Sequence, residues 1–284
     1  MIEKEYLIRD QKIHVKIQGS NSLPTIVFLH GFTGTSSTWT EIFALLEGKF
    51  KVVAVDLTGH GKTTIPSNPS RYSMAEQISD LEALFTEMDL VHFTLVGYSM
   101  GGRIALAYMN LYPERVTSLI LESASPGLKT KVERDKRKQA DALLANRIQR
   151  EGIPAFVEFW EEIPLFATQK KMPQPKQEEV RKERLGQNAV GLANSLLGIG
   201  TGSQPSYWGE LSSIQVPVLL ITGKIDKKFV FIAREMDEIL PLSKHMTIKD
   251  TGHAIHVEKP TLFATMVEEH ITCFSRCFIE PKIK

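Results

Sequence analysis

Ser99 stands in Gly97-Tyr98-Ser99-Met100-Gly101, directly after the apolar run FTLVGYS (93–99) and directly before the helical pattern MGGRIALAYMNLYP (100–113). A serine between glycines at a strand-to-helix turn is the setting of a nucleophile. The turn is sharp and holds the serine in a strained conformation. Its neighbours must be small so that strand and helix can approach. The hydroxyl then projects above the sheet at a helix N-terminus, where developing negative charge is favoured.

A serine needs a base, and the sequence holds eight histidines. His253, in DTGHAIHVEKP, follows a strand-like stretch (HMTIKD) and precedes a helical one, and the glycine before it lets the loop turn toward the sheet edge. His256 falls at the start of that helix, His60 (LTGHGKT) reads as a loop histidine, and His30 as a brace for the loop that follows it. The base in turn needs an acid to hold its tautomer. PVLLITGKIDKKF places Asp226 just past a core strand, so Ser99, Asp226 and His253 follow in the chain order of this architecture. Glu122 is the alternative acid, whereas Asp250 is too near His253 in sequence to orient it. Two backbone amides are expected to hold an oxyanion: Met100, next to the nucleophile, and Phe32 in HGFTG, where Gly31 and Gly34 let the backbone bend.

Arg103 lies one helical turn after the serine, at the unfavourable end of the helix dipole for a cation. Either a nearby carboxylate pairs with it or an anionic substrate does, since guanidinium forks match carboxylates bidentately. Further arginines follow at 134, 137, 147, 150, 181 and 184, most of which fit a solvated basic face.

The elements that must position these residues are legible in outline. TIVFLHG (25–31), KVVAVDLTGHG (51–61), FTLVGYS, VTSLILES (116–123) and PVLLITG (217–223) are short apolar runs separated by helical patterns. They indicate a mostly parallel sheet covered by helices on both faces, an α/β fold. EYLIRDQKIHVKIQ (5–18) reads as a hairpin, and SMAEQISDLEALFTEM (73–88) as a helix capped by its serine. After Gly127 the strand runs stop. A helical insertion, rich in charged residues and Gln and broken at Pro154, Pro164, Pro173 and Pro175, is expected as a cap over 128–207, with 1–127 and 208–284 as the core.

The chain has 284 residues, 42% of them hydrophobic, with 34 Lys and Arg against 33 Asp and Glu. A net charge of +1 favours neither nucleic acid nor an anionic membrane, so anion recognition must be local. The two cysteines, Cys273 and Cys277, read as apolar-face residues of one helix and fit a reducing compartment. With no signal-like h-region and no apolar run near 20 residues, the chain reads as cytoplasmic, without membrane insertion, and as a monomer or small homo-oligomer.

These residues resemble the α/β-hydrolase superfamily over nearly the whole chain. HGFTGTSSTW, VDLTGHGKT, GYSMGGRIAL, ESASPGL and GTGSQPSYW together resemble its menaquinone-pathway MenH family. The resemblance implies a lyase that eliminates pyruvate from a cyclohexene carrying three carboxylates, with no cofactor and no metal. It singles out Arg137, Arg184 and Arg103 for the carboxylates and Trp160 as a pocket aromatic, and it favours substrate contact by Tyr98. The aromatic that follows the tryptophan in some relatives is Glu161 here. Two other readings stand beside it. One is a serine hydrolase of an anionic ester, thioester or carbon–carbon bond, against which the arginines count. The other is a non-catalytic receptor or scaffold, a role in which a triad member is usually lost.

Overall fold

The computed structural model describes the backbone of residues 1–279 and side chains as far as Cys273. Eight strands form one sheet in the order β1-β2-β4-β3-β5-β6-β7-β8. The hairpin β1 (Ile2–Ile8) and β2 (Gln11–Gln18) is antiparallel, and β2 also runs antiparallel to β4 (Lys51–Val55). From β4 onward the sheet is parallel: β3 (Thr25–Leu29), β5 (Phe93–Tyr98), β6 (Val116–Glu122), β7 (Val218–Gly223) and β8 (Ser243–Ile248). Residues of β4, β5 and β7 are buried throughout, the result of burying a strand on both faces.

Alternate side chains of these strands feed two cores. On one face Val27, Val53, Leu95 and Leu119 pack with α2 (Met74–Glu87) and α3 (Met100–Leu111). On the other, Ile26, Phe28, Val96 and Ile221 pack with α1 (Thr40–Leu45) and α9 (Pro260–Ile279). Each such side chain taken fully out of water contributes about 1.5–3 kcal/mol against chain entropy. Ser73 caps α2 through the Glu76 amide. Cys273 is exposed, which corrects its expected place on the apolar face of α9, and the Cys277 side chain lies outside the described residues.

Between β6 and β7 the chain builds α4 (Lys131–Glu162), α5 (Gln174–Leu185) and α6 (Ala189–Ile199). A capping box of Thr130 and Glu133 starts α4, which breaks at Gly152 (φ 79), two residues before Pro154. The two passages between these helices and the sheet are tied together. The Tyr207 amide donates to the Pro126 carbonyl (2.7 Å), and the Trp208 indole to that of Gly127 (2.9 Å). Phe156, Trp160, Leu192 and Leu196 form a third apolar cluster that reaches down to Phe32. These helices therefore sit over the ends of β3 and β5. The short helices α7 (Lys227–Ile239) and α8 (Ile255–Glu258) complete the core.

Candidate active site

The end of β5 and the start of α3 meet at Ser99, which adopts φ 51, ψ −105. A non-glycine residue holds this conformation only where its surroundings impose it. They do so through close backbone approach: a Cβ on Gly97 would lie 2.5 Å from the Gly101 carbonyl oxygen, and one on Gly101 would lie 2.2 Å from that of Leu29. The Ser99 amide donates to the Glu122 carbonyl (2.9 Å), tying the turn to the neighbouring strand.

His253 Nε2 lies 3.0 Å from Ser99 Oγ, and its Nδ1 lies 2.7 Å from Asp226 Oδ2. Asp226 is also the N-cap of α7, its Oδ1 accepting from the Phe229 amide (3.4 Å), so one carboxylate both starts the helix and orients the imidazole. Aromatic rings pack round the buried histidine: Phe229 at 4.6 Å between centroids, Tyr98 at 5.4 Å and Phe166 at 6.3 Å. Gly252 has an unremarkable φ, and its need is space, since a Cβ there would lie 2.2 Å from Thr168 Oγ1.

The other candidates separate cleanly. Glu122 holds His256 instead, accepting from its amide (3.0 Å) and facing its Nδ1 (2.7 Å), with both side chains fully buried. His30 links two loops, with Nδ1 2.8 Å from the Gly31 carbonyl and Nε2 accepting from the Leu57 amide (3.0 Å). His60 packs against His30 and Phe32, and burial drives its pKa down to about 3. The Met100 and Phe32 amides find no protein acceptor among the described residues, and both residues line the cavity in front of Ser99. The Phe32 loop is held from outside: Gln187 Nε2 donates to the carbonyls of Thr33 (3.1 Å) and Gly34 (3.2 Å), and Glu183 accepts from the Thr35 amide (2.9 Å).

A cavity of about 760 Å3 opens in front of Ser99, walled mostly by apolar side chains such as Trp160, Phe166, Phe229 and Leu196. Arg103 is 9% exposed and lines it. Its Nη1 donates to the Ile199 carbonyl (2.7 Å) and Gln204 Oε1 (3.0 Å), and it has no carboxylate partner among the described residues. The unfavourable dipole of α3 is thus offset by the C-terminal carbonyl of α6, not by an ion pair. Burial, then the charge of Arg137, lowers its pKa to about 10, so it stays cationic at neutral pH.

Arg137 also lines the cavity, with Nε on Asp141 (2.7 Å) and its side chain 41% exposed. Arg184 is buried one ring away, next to the cavity-lining Phe166 and within electrostatic reach of Tyr98. Its guanidinium lies against Phe166 (4.7 Å), Nη2 donates to Gln169 Oε1 (2.8 Å) and Nη1 lies 3.4 Å from Glu161. Glu161 also pairs with Arg181. A carboxylate at 161 therefore supplies a counter-ion for both lid arginines, 181 and 184. Trp160 lines the cavity and packs on Phe32, Phe156 and Phe166, so it serves pocket and helix packing together. Tyr98 lines the cavity while packing on His253 and His256, and burial with the nearby Glu122 raises its pKa well above the usual value, keeping it a neutral phenol.

Sequence reasoning missed Gln204, Phe166, Phe229 and Lys228. Gln204 lies inside GTGSQPSYW, and Lys228 and Phe229 directly follow the candidate acid, so proximity to motifs was the available signal. Among the described residues no cluster of three His, Cys, Asp or Glu side chains is placed to hold a metal ion, and no helix is long and apolar enough to cross a membrane.

A family model described as alpha/beta hydrolase fold matches residues 24–260. A Bacillus subtilis (strain 168) protein, provisionally named 2-succinyl-6-hydroxy-2,4-cyclohexadiene-1-carboxylate synthase, is 46% identical over 255 residues, covering 90% of this chain and 93% of that one. A synthase of the same name from Photorhabdus laumondii is 30% identical over 92% of this chain and 90% of its own. The solved structure of MenH from S. aureus superposes with a TM-score of 0.87 at 35% identity, over 91% of this chain and 97% of that one.

Proposed function

The chain belongs to the α/β-hydrolase fold family, and from that premise we propose that it is a 2-succinyl-6-hydroxy-2,4-cyclohexadiene-1-carboxylate synthase, a carbon–oxygen lyase of menaquinone biosynthesis. Its substrate is 2-succinyl-5-enolpyruvyl-6-hydroxy-3-cyclohexene-1-carboxylate, a small tricarboxylate. In this reading Ser99, Asp226 and His253 are catalytic, the Phe32 and Met100 amides form the oxyanion hole, and 128–207 is a lid over a core of 1–127 and 208–284. The enzyme works in the cytoplasm, as a monomer or small homo-oligomer.

His253, oriented by Asp226, takes the proton of Ser99. The serine oxygen then removes the C–H proton beside the succinyl carbonyl, and the two amides hold the enolate. The electron pair moves through the ring double bond and breaks the carbon–oxygen bond to the enolpyruvyl group. That group departs as the enolate of pyruvate and takes up the proton held on His253, leaving the conjugated diene. No acyl-enzyme forms.

One observation carries this reading over a hydrolase of neutral esters: a buried arginine with no carboxylate partner among the described residues opens into the same cavity as the serine. A neutral substrate leaves that cation uncompensated, whereas a substrate carboxylate satisfies it. The test is to generate the enolpyruvyl precursor in situ with the preceding enzyme, add this protein, and follow diene absorbance together with pyruvate. Stoichiometric release of both, well above the spontaneous rate, is expected. No acceleration by a folded protein that still cleaves a simple ester would turn the reading to a hydrolase.

A further inference from the structure

The substrate proposed above carries carboxylates, and this inference rests on that reading. Arg103 is held in the cavity wall by uncharged groups. Its Nη1 donates to the Ile199 carbonyl (2.7 Å) and to Gln204 Oε1 (3.0 Å). Among the described residues Gln204 is the one side chain that hydrogen-bonds this guanidinium, and it is 1% exposed. Its amide fits in one sense only. A guanidinium has donors alone, so Oε1 turns to Arg103, and Nε2 then donates to the Ser125 carbonyl (3.4 Å). Arg103 and Ser125 line the cavity, whereas Gln204 stands behind them.

The chain places this amide with care. Directly after α6 the Ser203 and Gln204 amides both donate to the Gly200 carbonyl (2.9 and 3.0 Å). A side chain at Gly202 would press on the Lys138 amide nitrogen. Gly127, at φ 103, leaves room on the other side: a Cβ there would lie 2.7 Å from the Pro205 carbonyl oxygen and 3.2 Å from Gln204 Nε2. Both passages between the sheet and the helices above it thus close on one glutamine. A carboxylate stands near but is engaged elsewhere. Asp141 is buried, with Oδ1 on Arg137 Nε (2.7 Å) and Oδ2 accepting from the Gly202 amide (3.3 Å). A carboxylate at position 204 would neutralise Arg103 in a buried pair and compete with any incoming anion. An amide oxygen accepts the same hydrogen bond and brings no net charge.

We propose that Gln204 is the positioning residue of Arg103 and sets the preference of the cavity for an anion. It fixes the guanidinium with a dipole, so that the charge, and the Nε and Nη2 donors that have no protein acceptor among the described residues, are left for a substrate carboxylate. Gln204 does not touch the substrate and acts through Arg103.

The test is the steady-state kinetics, on the enolpyruvyl substrate, of Gln204→Glu, Gln204→Met and Gln204→Met combined with Arg103→Ala, all in the full chain and checked for folding by denaturant titration. Gln204→Glu is expected to raise KM about tenfold or more, and Gln204→Met about threefold, each with kcat within about threefold. That order separates positioning from a merely structural role, in which Glu, still an acceptor for Arg103, would replace Gln better than Met does. With Arg103→Ala present, Gln204→Met should change KM less than twofold, because the residue through which it acts is gone. An unchanged KM in Gln204→Glu, a Met variant worse than the Glu variant, or full additivity in the double variant overturns the proposal. Should Gln204→Glu fail to fold, the Met variant and its double decide the question by themselves. If the chain proves inactive on the enolpyruvyl substrate, calorimetric titration with tricarballylate, a compact tricarboxylate, reads Gln204 separately. A Kd weakened more by Gln204→Glu than by Gln204→Met supports the assignment, and any other order, or no binding, overturns it.

Discussion

Ser99 and Arg103 share one helical turn and divide the work between bond making and recognition. Ser99 sits at φ 51 because backbone packs on both sides of it, and among the described residues its hydroxyl has one hydrogen-bond partner, His253. Ser99→Ala should lower kcat by about a thousandfold or more, measured by pyruvate release. Turnover near wild type would mean that His253 removes the substrate proton directly. Arg103→Ala should act mainly on recognition and raise KM by about one to two orders of magnitude. Unchanged kinetics would make the guanidinium a structural link between Gln204 and the end of α6.

At the scale of elements, the strand–turn–helix of β5 and α3 is the rigid part, and glycine makes it possible. Gly101→Ala pushes a methyl to within 2.2 Å of the Leu29 carbonyl oxygen, and backbone cannot give way there as a side chain does. A loss of about 3 kcal/mol or more is expected, read from chemical denaturation. A variant as stable as wild type would show that α3 can slide away from β3. The helices over the site are joined to the core by specific polar contacts as well as packing. Gln187 and Glu183 reach the loop that carries the Phe32 amide, so the position of these helices and the shape of the oxyanion site are coupled. No motif announced those two residues, because their partners are loop carbonyls and amides distant in sequence.

Across the whole molecule, histidines whose pKa burial lowers outnumber the one whose pKa a carboxylate raises. Burial lowers the pKa of His30, His60, His245 and His270, to about 3 for His60 and about 4 for His270. His14 is raised, chiefly by Asp56. For the lowered group the unfolded chain takes up protons first as pH falls below about 6.5, so stability is full above that value and is lost on acidification. Each such proton contributes a slope of about 1.4 kcal/mol per pH unit. His14 acts in the opposite sense, adding stability below its unfolded value, but is one against four. Unfolding free energy should therefore decline between pH 6.5 and about 4.5, and a flat profile in denaturant titrations would contradict the burial of these rings as neutral groups.

The amino-acid sequence by itself determined what is local. Short apolar runs, serine caps and glycine spacing specify strands, helix starts and the turn at Ser99, because each depends on residues within a few positions. Chain order then pointed to Asp226 and His253. Side-chain partnerships across the fold were decided only by tertiary structure. Glu122 could be excluded as the acid only once its carboxylate was seen on His256. The partners of Arg184, Glu161 twenty-three positions away and Gln169 fifteen away, were likewise visible only in the fold. Lys228 carried no motif and entered the cavity through the placement of α7. A charge's role follows from what neutralises it, and that neighbour is chosen by packing between elements, which no local spacing encodes.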